Sequence, residues 1–163
     1  MIKTLQISEK EAWDLAFNAL TNNQTSDENA SEVADALINA EFDGQAGHGL
    51  SRIPSYVEQV LSGKVAGNVS PSLLSSKGSV IRVDANHGFA FPAISLALSE
   101  ITKTCKSFGI AAASISRSHH FGQAGRHVWQ HAAHGLEGGQ LLRIKGMLRR
   151  VGAGQMAHHA GNI

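Results

Sequence analysis

The sequence predicts an α/β fold, with a helical N-terminal region followed by part of a mixed α/β/α domain. Two observations carry that prediction. The first third of the chain consists of capped segments whose apolar residues recur with helical spacing, and the middle alternates strand-like and helix-like runs. No internal repeat interrupts that order.

Ser8 followed by Glu11 forms a capping-box pattern, and Ala12, Trp13, Ala16, Phe17 and Leu20 then recur at helical spacing. The polar run NNQT ends this helix. Ser26 or Asp27 can cap a second one, with Val33, Ala34, Leu37, Ile38 and Phe42 as its apolar stripe and a stop near Gly44. Pro54 is placed to open a third within its first turn, with Tyr56, Val57, Val60 and Leu61 on one side and Gly63 past its end. The character changes at SVIRVDA, residues 79–85, where β-branched and charged residues mix as in a strand, before the turn chemistry of Asn86, His87 and Gly88. FAFPAISLALSEITKTCKSFG is long enough for a buried helix, with Pro92 tolerable only in its first turn and Gly109 as its stop. IAAASISRS, residues 110–118, has the length and composition of a strand, although its alanines also permit a helix. A helical pattern resumes at Val128, Trp129, Ala132 and Ala133. The expected organisation is a helical region over 1–75, the start of an α/β domain over 76–136 and an atypical tail over 137–163.

Composition narrows the function classes. With 163 residues and 42% apolar content, the chain is long enough to bury one core. Lys and Arg total 14 against 13 acidic residues, a net charge of +1, so charge does not favour a nucleic acid or an anionic membrane as partner. Cys105 is the single cysteine, which excludes an intrachain disulfide framework and a cysteine-based zinc site. No window approaches the roughly 18 apolar residues of a membrane span. MIKTLQISEKEAW lacks the apolar core of a signal peptide, and a cytoplasmic location is the expectation.

Three constellations could carry chemistry. In AEFDGQAGHGLSRIPSYVEQV, residues 40–60, His48 stands between Gly47 and Gly49, which would allow close approach to a ligand or a positive φ. Histidine is the usual acid or base near neutral pH, and the planar fork of Arg52 suits a carboxylate. The same residues also read as a plain connector with a surface arginine. In SHHFGQAG, residues 118–125, a strand-to-helix turn could offer backbone N–H groups to a phosphate, with His119, His120 and Arg126 adding positive charge; an ordinary polar turn explains it equally well. His127, His131 and His134 have metal-ligand spacing on a helix, yet no carboxylate stands at a matching position, and a solvated His-rich face is the simpler reading. GAGQMA, residues 152–157, fits a dinucleotide fingerprint in letters only, because no apolar strand precedes it and no acidic residue follows.

AEFDGQAGHGLSRIPSYVEQVLSGKV, VDANHGFAFPA and GIAAASISRSHHFGQAGRHVWQHAAHGL together resemble the malate/L-lactate dehydrogenase family of the non-Rossmann type, over most of residues 5–136. That family includes ureidoglycolate and sulfolactate dehydrogenases. The resemblance implies NAD- or NADP-linked interconversion of a small 2-hydroxy acid and its 2-oxo counterpart, on an α/β fold distinct from the doubly wound one and in a homodimer. It implies that His48 donates the proton to the developing alkoxide and that Arg52 binds the substrate carboxylate. His120, Phe121, Gly122, Gln123 and Ala124 match a loop that contacts the cofactor, which makes 76–136 the start of the cofactor-binding domain. No metal is implied. The family usually has serine immediately before the histidine, where this chain has Gly47.

Members are about twice this length, and the further half carries the Asp that partners the histidine. The expectation is therefore a truncated N-terminal fragment with little activity on its own. EGGQLLRIKGMLRRVGAGQMAHHAGNI, the last 27 residues, holds six glycines, four Lys or Arg and one acid without a clean period. Read one nucleotide forward, its codons permit family-like sequence, so an out-of-frame tail is expected, and the gene sequence decides it. The alternative function is a noncatalytic His-rich module that binds metal or a partner.

Overall fold

A computed structural model describes residues 6–123 and 127. Ser8 accepts from the Glu11 N–H while the Glu11 carboxylate accepts from the Ser8 N–H, and this complete capping box starts α1, Glu9–Thr21. Ser26 caps α2, Asp27–Phe42, by accepting from the Asn29 N–H, and Asp27 falls in the first turn, where its charge suits the helix dipole. Two short 3₁₀ turns, Ala46–His48 and Leu50–Arg52, lead into α3, Ile53–Leu61, with Pro54 in its first turn. Gly63 follows it at φ +72°, a conformation that glycine adopts without penalty.

The sheet has the order β1-β2-β3, with β1 at Ser72–Lys77, β2 at Val80–Asp84 and β3 at Ala112–Ser116. β1 pairs antiparallel with β2 through a tight turn at Gly78, and β3 runs parallel to β2 after the crossover helix α4, Ala90–Phe108. Pro92 lies in the first turn of α4, and Gly109, at φ +74°, ends it. The 110–118 segment is thus a strand. β1 was not expected from sequence: SLLSSK puts its two leucines side by side instead of alternating them, and its pairing slips between Leu73 and Ser75.

Two apolar clusters hold the elements together. The first joins Leu20, Val33, Leu37, Tyr56, Val60, Phe89 and Phe91, so α1, α2 and α3 close over the start of α4. The second packs Ile81, Val83 and Ile115 of the sheet against Ala90, Ala93, Ile94 and Ala97 of α4. The predicted stripes are right except at two helix ends. Phe42 and Leu61 were expected inside and are 67% and 54% exposed, because each is the last residue of its helix, where the cylinder has passed beyond its neighbours. No helix among the described residues is long and apolar enough to cross a membrane.

Candidate active site

α3 and the loop after β3 face each other, and their side chains meet in pairs. Tyr56 and Gln59 lie on one face of the helix. Tyr56 is buried, and its Oη is 3.4 Å from His120 Nδ1. Gln59 receives the Nε2–H of His119 at Oε1, while its own amide donates to Ser55 Oγ at 2.9 Å and so fixes which end faces the imidazole. His119 also stands edge-on to the Tyr56 and Phe89 rings, with centroids 5.8 and 6.4 Å away. The turn that aims this loop depends on Arg117, which adopts φ +50° and clasps the buried Asp84 carboxylate at the end of β2. Asp84 is held below the usual carboxylate range by that guanidinium and by the Asn86 N–H.

His48 reaches the same place from the other side. Its ring stacks on His120 with centroids 5.8 Å apart and planes 30° from parallel. Neither ring nitrogen of His48 has a hydrogen-bond partner among the described residues. Arg52 donates from Nε to the Gly47 carbonyl at 2.5 Å, and its outer nitrogens have no hydrogen-bond partner among the described residues. Half-buried, with its fork free, it can grip a planar anion in two places. His48 and Arg52 end two consecutive 3₁₀ turns that break at Gly49.

Protonation states divide the three imidazoles. Burial pushes His119 down to about 4, helped by the charges of His120 and Lys64, so His119 is neutral near pH 7. The expectation that it adds positive charge for a phosphate is corrected by this desolvation. His120 is also lowered, first by burial and then by Arg52 and His48. Its Nδ1 accepts from the Gly122 N–H at 3.0 Å, which leaves the proton of the neutral ring on Nε2. Burial raises Tyr56 to about 12, so its hydroxyl stays protonated.

Of the loop matched to cofactor contact, His120, Phe121, Gly122 and Gln123 are described, and Ala124 lies outside the described residues. Gly122 adopts φ +72°, and a Cβ there would come within 2.9 Å of Phe91 Cε1, so glycine lets the loop lie against α4. Gln123 donates to the Asp43 carboxylate at the end of α2. Around His48, one of the two glycine alternatives is corrected: neither Gly47 nor Gly49 has a positive φ. Sequence reasoning took Tyr56 for core alone and passed over Gln59; their spacing from Arg52 on one helix face was the available signal.

His127 is buried, and its Nε2 lies 2.9 Å from the Phe121 carbonyl. His131 and His134 lie outside the described residues, as do Arg126, the GAGQMA letters and the whole tail. Among the described residues no group of three or more His, Cys, Asp or Glu could hold a metal.

The malate/L-lactate dehydrogenase family model matches residues 7–154. This chain belongs to that family. Among its curated relatives is a (2R)-3-sulfolactate dehydrogenase (NADP(+)) of Chromohalobacter salexigens, 45% identical over 130 residues, which cover 80% of this chain and 39% of the relative. A Δ1-pyrroline-2-carboxylate/Δ1-piperideine-2-carboxylate reductase of Pseudomonas syringae pv. tomato is 35% identical over 133 residues, 82% of this chain and 39% of the relative. Among solved structures, the malate dehydrogenase of Entamoeba histolytica superposes with a TM-score of 0.76 at 25% identity, over 82% of this chain and 37% of that one. The chain therefore spans about two-fifths of the length of these family members.

Proposed function

We propose that this chain carries the substrate arm and the first cofactor loop of an NAD(P)-dependent oxidoreductase acting on a small 2-hydroxy acid, of the malate, lactate or sulfolactate kind. The observation that supports it is the convergence of an imidazole and a guanidinium fork that have no hydrogen-bond partner among the described residues with a second imidazole, the His48 and His120 rings lying 5.8 Å apart. The donor set suits the two ligands. An arginine takes a carboxylate, and a loop at the carboxyl end of a parallel strand is where α/β proteins bind dinucleotides.

His48 is the proton donor and Arg52 the carboxylate anchor. His120, Phe121, Gly122, Gln123 and Ala124 would lie against the cofactor, which when bound supplies or accepts the hydride. Arg52 fixes the acid so that one face of its carbonyl is presented. His48, as imidazolium, gives its proton to the carbonyl oxygen in reduction and takes it back in oxidation. His120 stays neutral beside it, so the pair avoids the repulsion of two adjacent cations. The whole enzyme, a cytoplasmic homodimer in this reading, supplies the carboxylate that orients His48 from outside the described residues.

The test, made on the whole enzyme, is absorbance at the nicotinamide band with malate, lactate and sulfolactate, each with NAD and with NADP. Turnover of a 2-hydroxy acid that His48→Ala abolishes and that Arg52→Lys weakens through KM is the expected result. Preferred reduction of a cyclic imino acid such as Δ1-pyrroline-2-carboxylate would replace the substrate class. No turnover with any of them would overturn the reading.

A further inference from the structure

The two side chains assigned to substrate sit on separate 3₁₀ turns, and their relative orientation depends on the junction at Gly49. The first turn is closed at 2.7 Å, from the His48 N–H to the Gln45 carbonyl, but reaches the junction through a long bond, the Gly49 N–H 3.4 Å from the Ala46 carbonyl; the second is closed at 2.9 Å, from the Arg52 N–H to the Gly49 carbonyl. Ser51 Oγ and Arg52 Nε also cross the junction, but they end on the carbonyls of Ala46 and Gly47 inside the same loop. They tie the loop to itself, while the Gln45 N–H, donating to the Ala40 carbonyl at 2.7 Å, ties its start to α2, and Arg52 leads directly into α3.

Glu41, in the last turn of α2, ties the junction itself to that helix. Its Oε1 accepts from the Leu50 N–H at 2.7 Å, the leading donor of the second 3₁₀ turn. The side chain gets there by lying across Gly49. A Cβ at that glycine would be 2.1 Å from Glu41 Oε1, 2.5 Å from Cδ and 2.8 Å from Cγ. Gly49 is buried and has φ −94°, so its lack of a side chain makes room for this carboxylate and does not serve a left-handed turn. Gly47, one residue before His48, has nothing within 4 Å of its own would-be Cβ. The contrast points to Glu41.

Resting on the dehydrogenase reading above, we propose that Glu41 is the positioning residue that sets the angle between His48 and Arg52, by anchoring the junction of their turns to α2. Glu41→Gln keeps an oxygen at the same place and Glu41→Ala removes it. In Glu41→Ala the Leu50 amide is expected to exchange with solvent about tenfold faster or more, and the His48 ring and Arg52 Nε resonances to shift. Glu41→Gln is expected to restore both. In turnover, Glu41→Ala should raise KM for the 2-hydroxy acid and lower kcat, together costing about 10- to 100-fold in kcat/KM, with KM for the dinucleotide unchanged.

Unchanged Leu50 exchange and unchanged His48 and Arg52 resonances in Glu41→Ala would overturn the proposal. A fall in melting temperature alone, with kcat/KM per folded molecule intact, would overturn it as well. If the wild type shows no turnover the dehydrogenase reading fails, and the exchange and resonance measurements still decide whether Glu41 sets the geometry.

Discussion

The arm that carries His48 and the loop that carries His120 are built in opposite ways. The arm is held by near neighbours: Arg52 to Gly47 and Ser51 to Ala46, five residues apart, and Leu50 to Glu41, nine apart. The loop is held by strangers: Gln59 is 60 residues from His119, Tyr56 is 64 from His120, and Asp43 is 80 from Gln123. Its entry is also strained, with Arg117, a non-glycine residue, at φ +50°. An arm folded from local bonds keeps its shape whatever the sheet does, whereas the loop exists only once α3, α4 and β3 have docked.

That contrast can be broken or sharpened by experiment. The largest effect is expected at the arm: His48→Ala should lower 2-hydroxy acid turnover by about two to four orders of magnitude while leaving the melting temperature unchanged. Loss of stability in step with activity would mean that the arm is structural.

At the loop, Gly122→Ala should destabilise by about 1–3 kcal/mol in thermal or denaturant unfolding, because the new methyl meets Phe91 and the residue keeps a left-handed backbone.

A third test uses acid. His119 falls from 6.5 in the unfolded chain to about 4 when folded, so the unfolded state binds more protons between those values. Stability is therefore expected to fall as pH drops from about 6.5 toward 4, and His119→Gln should flatten that part of the curve. An unchanged slope would show that His119 is not kept neutral by burial.

Asp84 acts lower. Its carboxyl is depressed by Arg117, so its contribution is present above the ordinary carboxylate range and is lost as pH falls through the depressed value. Arg117→Ala should shift the acid unfolding midpoint upward and shrink the gap to wild type once Asp84 is protonated.

The smallest effect is expected at Gly47. With open space around it, Gly47→Ser should change stability by no more than about 0.5 kcal/mol, measured beside Gly49→Ala, which must displace Glu41. Equal losses at the two glycines would erase the distinction between room and mere flexibility.

Legibility in the sequence follows the same division. The helices announced themselves because capping and periodicity are local: Ser8 with Glu11, Ser26 before α2, Pro54 and Gly109 at their ends. His48 and Arg52 stood out for the same reason, as short-range residue types with obvious chemistry. β1 escaped because its exposed residues carry no alternation, being an edge strand of the sheet among the described residues. The neutrality of His119 escaped because a pKa depends on what surrounds a ring in space, and Gln59, Tyr56 and Phe89 come from two distant segments. Gly49 was visible as a glycine, but that its space belongs to Glu41 is a fact of packing.

The first turn of α4 carries a mechanical consequence. Phe91 belongs to the helical cluster, while its neighbours Ala90 and Ala93 belong to the cluster beneath the sheet. Consecutive residues of one turn thus serve as rivets in two different layers, and loosening either layer frays the turn that seals the other. The helices and the sheet are expected to unfold in a single cooperative transition, with their slowest amides exchanging together.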